Sequence, residues 1–148
     1  MRIYTIGFTG KTAAEFFEPL KRNHIKRLLD IRLKNTSQLA GFTKKNDLEY
    51  FLKEILGADY FHVPILAPAE ELLKKYKSDN DWAYYEPEYL RLLDTRGVEK
   101  NIDRSLFDRD VVLLCSEETP ERCHRRLAAE YLSKFLKPRE IIHLGIPA

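Results

Sequence analysis

Apolar residues lie along this chain in two patterns: short uninterrupted runs, and longer stretches in which they recur every three or four positions. Ile3-Tyr4-Thr5-Ile6 is the first run and stops at Gly7, as a short strand buried on both faces does. Thr12 and Glu15 then stand at capping-box spacing, which predicts a helix from about Ala13 that turns Phe16, Phe17 and Leu20 inward. Pro19 lies past its first turn, where a missing N–H kinks or ends a helix.

Leu28-Leu29-Asp30-Ile31 predicts a second strand, with Arg32 at its exit. Asn46 and Glu49 repeat the capping spacing before Leu48, Phe51, Leu52 and Ile55, and Gly57 closes that helix. Tyr60-Phe61-His62-Val63 reads as a third strand. Helical patterns follow at Ala69 to Tyr76, Pro87 to Thr95 and Val98 to Phe107. Val111-Val112-Leu113-Leu114 is the strongest strand, and Glu140-Ile141-Ile142-His143-Leu144 the last. Between them Thr119 as N-cap and Pro120 at the first position predict a helix to about Phe135. Strands alternating with helices predict an α/β fold, a three-layer α/β/α arrangement on a mostly parallel sheet of about four to five strands. No linker or repeat divides residues 1–148, so one domain is expected.

Composition narrows the function classes. With 44% hydrophobic residues the chain can fill a core without disulfide staples or a structural metal. The 25 Lys and Arg against 23 Asp and Glu exclude a nucleic-acid grip carried by bulk charge. No apolar run approaches the roughly 20 residues of a membrane span, and because the first residues enter a strand pattern at once, no signal peptide is expected. Two cysteines are too few for a secreted disulfide scaffold, so the expected compartment is a reducing cytoplasm.

In parallel sheets ligands bind beyond the carboxyl ends of the strands, so each strand exit is a site candidate. The exits offer Gly7-Phe8-Thr9-Gly10, then Asp30 and Arg32, then Cys115-Ser116-Glu117. The helix expected after Cys115 would favour an anion at its N-terminus and lower the pKa of a nearby thiol. At 100° per residue, His124, Leu127, Ala128, Tyr131 and Phe135 fall within about 60° of one inward direction, with Cys123 and Arg125 on opposite flanks and Arg126 facing away. Each residue also has a plainer reading. Cys123 reads first as a small buried hydrophobe, His124 as a hydrogen-bonded core histidine, and Asp30 with Arg32 as a structural ion pair. The Trp82 to Tyr89 aromatics read first as an edge seal and second as a stacking platform.

Other motifs fail on spacing. Gly10-Lys11-Thr12 lacks the first glycine of a P-loop, Gly7 and Gly10 lack the third glycine of a dinucleotide fingerprint, and Cys115 and Arg122 enclose six residues where a cysteine-phosphatase loop encloses five. Cys115, Cys123, His124 and His143 are soft ligands, but without a two-residue cysteine spacing no metal and no other cofactor is expected.

Thr5-Ile6-Gly7, Asp30-Ile31-Arg32, Ser37, and Leu114-Cys115-Ser116-Glu117 through Pro120 to Cys123-His124-Arg125 together resemble the domain-of-unknown-function 488 family over nearly the whole chain. That family usually carries a histidine and a serine after the Thr-Ile-Gly turn, where this chain has Phe8 and Thr9. The resemblance implies an α/β domain with these motifs gathered at one edge. The expected function is an enzyme acting on an anionic, nucleotide-like or phosphorylated substrate. Cys115, Asp30, Glu117 and His124 are its candidate catalytic groups, and Gly7, Thr9, Arg32, Ser37 and Arg125 its candidate substrate-binding groups. The alternatives are a non-enzymatic ligand or nucleic-acid binding module, or a thiol redox protein using Cys115 and Cys123.

Overall fold

A computed structural model describes residues 1–34, 41–117 and 120–145. Five strands form one all-parallel sheet: β1 (Ile3–Gly7), β2 (Arg27–Asp30), β3 (Asp59–His62), β4 (Val111–Cys115) and β5 (Ile141–His143), in the order β3-β2-β4-β1-β5. The register pairs Gly7 with Cys115 and Asp30 with Leu114, so three strand ends share one edge. Along β4 successive residues serve opposite cores. Val111, Leu113 and Cys115 join Ile3 and Leu29 on one face, while Val112 and Leu114 join Tyr4, Ile6 and Leu28 on the other. That double burial is why the central strands read as unbroken apolar runs.

Helices α1 (Ala13–Arg22) and α2 (Lys45–Phe51, continued by a π-turn to Leu56) cover the second face through Phe16, Phe17, Leu20, Leu48 and Leu52. The other face is covered by α4 (Trp82–Thr95), α5 (Val98–Asn101) and α6 (His124–Leu136), with α3 (Glu70–Asp79) packed on α4. The expected three-layer α/β/α fold is therefore present. Among the described residues no helix is long and apolar enough to cross a membrane.

The predicted caps hold in part. Thr12 and Glu15 make both bonds of a capping box, and Gly57 ends the second helix in the left-handed region at φ 62°. Helix α1 runs through Pro19 to Arg22; the carbonyl that Pro19 cannot bond belongs to Glu15, which faces solvent. Asn46 does not cap α2, because the helix begins one residue before it and Lys44 is the N-cap. Helix α3 continues three residues beyond Tyr76 to a left-handed Asn80. Helix α4 begins five residues before Pro87, where the Asp81 carboxylate accepts from Tyr84 N–H. The pattern from Val98 to Phe107 divides into α5 and a 3-10 turn at Arg104–Phe107, entered where Asp103 accepts from Ser105 N–H.

Helix α6 starts at His124, one turn later than Pro120. Thr119 lies outside the described residues, and Pro120 begins a turn closed by Cys123 N–H donating to Pro120 O at 3.2 Å. Removing the Thr12 hydroxyl from the capping box takes one acceptor from exposed helical N–H groups. We expect Thr12→Ala to lower unfolding free energy by about 1 kcal/mol in urea titrations and Thr12→Ser to leave it nearly unchanged.

Candidate active site at the carboxyl edge of the sheet

The chain leaves β1 toward β2 through α1 on one face and leaves β4 toward β5 through α6 on the other. Adjacent strands whose connections depart in opposite directions open a crevice at their carboxyl ends. Its floor is set by Gly7. A Cβ there would overlap the Glu117 carbonyl oxygen and lie 2.6 Å from Arg125 Nη1, so only glycine lets the loop after β4 cross the end of β1. Thr9 N–H donates to Ser116 O at 3.0 Å and ties the two exit loops together.

Arg125 extends into this crossing with no exposed surface. Its Nη1 donates to Glu117 O at 2.6 Å and to Cys115 Sγ at 3.4 Å, bringing positive charge to the buried sulfur. Burial lowers the guanidinium pKa to about 10, leaving it cationic at neutral pH. The flank on which the wheel places Arg125 is thus interior, because α6 is covered by the exit loops as well as by the sheet.

Cys115 and Cys123 are joined as a disulfide, with their Cα atoms 7.5 Å apart. Cys115 has no exposed surface and Cys123 is 2% exposed. His124 points inward as predicted: its Nε2–H donates to Ile31 O at 2.8 Å, which leaves Nδ1 facing Cys123 Sγ at 4.0 Å. Burial lowers the His124 pKa to about 4, so the ring is neutral. Cys115, Cys123 and His124 present three ligand atoms within 4.8 Å of one another. His143 lies apart on β5, its Nδ1 bonded to Thr5 Oγ1 at 2.5 Å.

Asp30 and Arg32 form a sealed pair. Arg32 donates from its backbone N–H, Nε and Nη2 to the carboxylate at 2.8 to 3.1 Å, Tyr60 OH donates to it at 2.6 Å, and Arg32 Nη2 also donates to Thr43 O. Asp30 is fully buried and spends its oxygens on these donors. The Arg32 guanidinium stacks 5.4 Å from the Phe8 ring centre, and its buried Nη1 has no hydrogen-bond partner among the described residues.

Beside this pair lies a cavity of about 370 Å³, a common size for a small-molecule site. Its lining includes Cys123 and His124, Ser116 and Glu117, and Phe8 and Arg32. Tyr76, Trp82 and Tyr85 add an aromatic part to the lining, with Trp82 and Tyr85 stacked at 5.1 Å and 16°. Lys34, Lys77 and Arg122 complete a lining in which four cations face one carboxylate, Glu117.

Of the expected site residues, Arg32, Glu117 and His124 therefore line the cavity. Asp30, Cys115, Gly7 and Arg125 lie behind them in the wall, Thr9 is exposed on the first exit loop, and Ser37 lies outside the described residues. Phe8, Lys34, Tyr76, Lys77 and Arg122 enter the site without having been expected there. The available signal was Trp82, Tyr85 and Tyr89 at helical spacing, hidden by starting that helix at Pro87.

The model of a protein family described as Domain of unknown function DUF488 matches residues 12–132. No curated protein and no solved structure matches the chain.

Three variants test this arrangement. Gly7→Ala forces the loop after β4 and Arg125 outward, with an expected loss of about 1–3 kcal/mol in chemical denaturation. Asp30→Ala strands a buried guanidinium, with an expected loss of about 3–5 kcal/mol, and the double variant Asp30→Ala with Arg32→Met recovers part of it.

Proposed function

The chain belongs to the DUF488 family, and from that premise we propose that it is a cysteine-dependent enzyme acting on a small anionic, ring-bearing substrate of the nucleotide type. One observation carries the reading: a single cavity joins an aromatic wall, an excess of cations and the Cys123–His124 edge of a sulfur-imidazole cluster. Trp82 and Tyr85 offer a planar surface for a base, and stacking on an aromatic ring is sequence-tolerant because every base has a π-face. Arg122, Lys77 and Lys34 supply the charge for a phosphate, with the Asp30-held Arg32 in the same lining.

Cys123 is the sulfur a bound substrate meets, since it lines the cavity at the N-terminus of the 13-residue helix α6. Cys115 lies behind it under the Arg125 guanidinium, which favours thiolate over thiol once the pair is reduced. His124 enters neutral, with Nδ1 facing the Cys123 side as a hydrogen-bond acceptor. A second reading, a thiol redox protein, is favoured by the disulfide itself, the oxidised form of a two-electron couple.

Calorimetric titration of the reduced protein with nucleoside monophosphates, nucleosides and inorganic phosphate tests the substrate class. The monophosphate is expected to bind most tightly and to weaken with salt, and Trp82→Ala to cost about 5- to 100-fold in Kd. Equal binding by the Trp82→Ala protein, or no heat with any nucleotide, would sink the reading. Thiol counting before and after a dithiol reductant separates the redox alternative.

A further inference from the structure

The sulfur-imidazole cluster supports more than substrate chemistry. We propose that the reduced protein binds a soft divalent cation, zinc foremost, through Cys115 Sγ, Cys123 Sγ and His124 Nδ1, with a fourth position open to the cavity.

The donor geometry is the first support. A tetrahedral zinc ion with Zn–S near 2.3 Å and Zn–N near 2.0–2.1 Å places two sulfurs about 3.8 Å apart and a sulfur and a nitrogen about 3.6 Å apart. Here Cys123 Sγ and His124 Nδ1 already stand at 4.0 Å, and all three donor atoms fall within 4.8 Å. The two Cα atoms are 7.5 Å apart, wider than the roughly 4.4–6.8 Å of ordinary disulfides, so the thiolates can spread around an ion without drawing β4 away from α6.

The groups around the donors give the second support. Ligating histidines nearly always donate their other ring N–H to a fixed acceptor, which sets the tautomer and aims the lone pair. Ile31 O accepts from His124 Nε2–H at 2.8 Å and does this here, through a carbonyl at the exit of β2. Arg125 Nη1 donates to Cys115 Sγ at 3.4 Å, a hydrogen bond of the kind that steadies a ligating thiolate. Tyr89, edge-on to the His124 ring at 5.6 Å, closes the apolar side.

The open position follows from exposure. Cys123 and His124 line the cavity and Cys115 does not, so an ion among the three is covered from behind and reachable from the front. Three protein ligands and one open position is the arrangement of catalytic rather than structural zinc, and two thiolates with an imidazole select zinc over magnesium or calcium. Occupancy excludes the disulfide. A dithiol or phosphine reductant supplies two electrons to part the sulfurs, and binding then releases the two thiol protons to solvent. The site does not rest on the nucleotide reading, and either can fail alone.

The test uses the full chain, reduced with a phosphine, freed of metal and titrated with Zn²⁺ against a chromophoric chelator and with Co²⁺ in the spectrophotometer. One equivalent per chain is expected, with a thiolate-to-cobalt charge-transfer band and the intense visible bands of a tetrahedral ion. Cys123→Ser and His124→Gln should each weaken binding by about 100-fold or more, and His143→Gln should leave it unchanged. The oxidised wild-type protein should bind none, a control that needs no variant to fold. Equal binding by the oxidised protein, an octahedral cobalt spectrum without the charge-transfer band, or no binding would overturn the proposal. Nucleotide titration of the same metal-free protein reports on the substrate reading separately.

Discussion

The structure turns on one buried cation. Arg125 holds its guanidinium at the end of the central strands with no exposed surface, against the Glu117 carbonyl and the Cys115 sulfur. Burying a charge is costly, so its surroundings must be built for it. Gly7 supplies the space, since any side chain there would strike the same carbonyl and the same guanidinium. The register Gly7–Cys115 supplies the position, because it sets the sulfur beside the glycine on the neighbouring strand. Slipping β4 by one residue would turn Cys115 to the opposite face and take the sulfur away from the guanidinium.

Topology converts that constraint into a cavity. Since β1 and β4 are neighbours whose following helices lie on opposite faces, nothing in the sheet covers their ends. Covering comes from α4, whose Trp82, Tyr85 and Tyr89 form a stacked row ending at His124. Tyr89 OH donates to Leu66 O, and Arg126 reaches Glu86, so α4 is tied both to the turn after β3 and to α6. Tyr89 is fully buried in the core over this face of the sheet rather than at its edge, whereas Trp82 and Tyr85 also line the cavity.

What was legible in the sequence follows from which interactions are local. The buried strands β1, β2 and β4 announce themselves as apolar runs, and the more exposed edge strands β3 and β5 were found from shorter ones, while the Thr12–Glu15 box gave the start of α1. The inward direction of His124 needed only helical period. Boundaries governed by tertiary demand were misread. Thr119-Pro120 is a sound helix start by propensity, yet α6 waits until His124, after a turn that carries Cys123 beside Cys115. Arg125 looked like a flank residue because a wheel knows one packing partner, whereas α6 has the sheet on one side and the exit loops on another.

The same distinction explains why spacing gave no metal motif. Common motifs place two ligands in one turn or hairpin, where sequence separation fixes spatial separation. Here Cys115 ends a strand and Cys123 with His124 begins a helix, with seven residues between the cysteines, so their convergence depends on the loop crossing Gly7. The nearly balanced net charge of +2 hides the local field in the same way: Asp30 is consumed by Arg32, while four cations and one carboxylate line the cavity. Salt screens charges beyond roughly 10 Å, so a small anion at this edge responds to that lining and hardly at all to the acidic residues elsewhere.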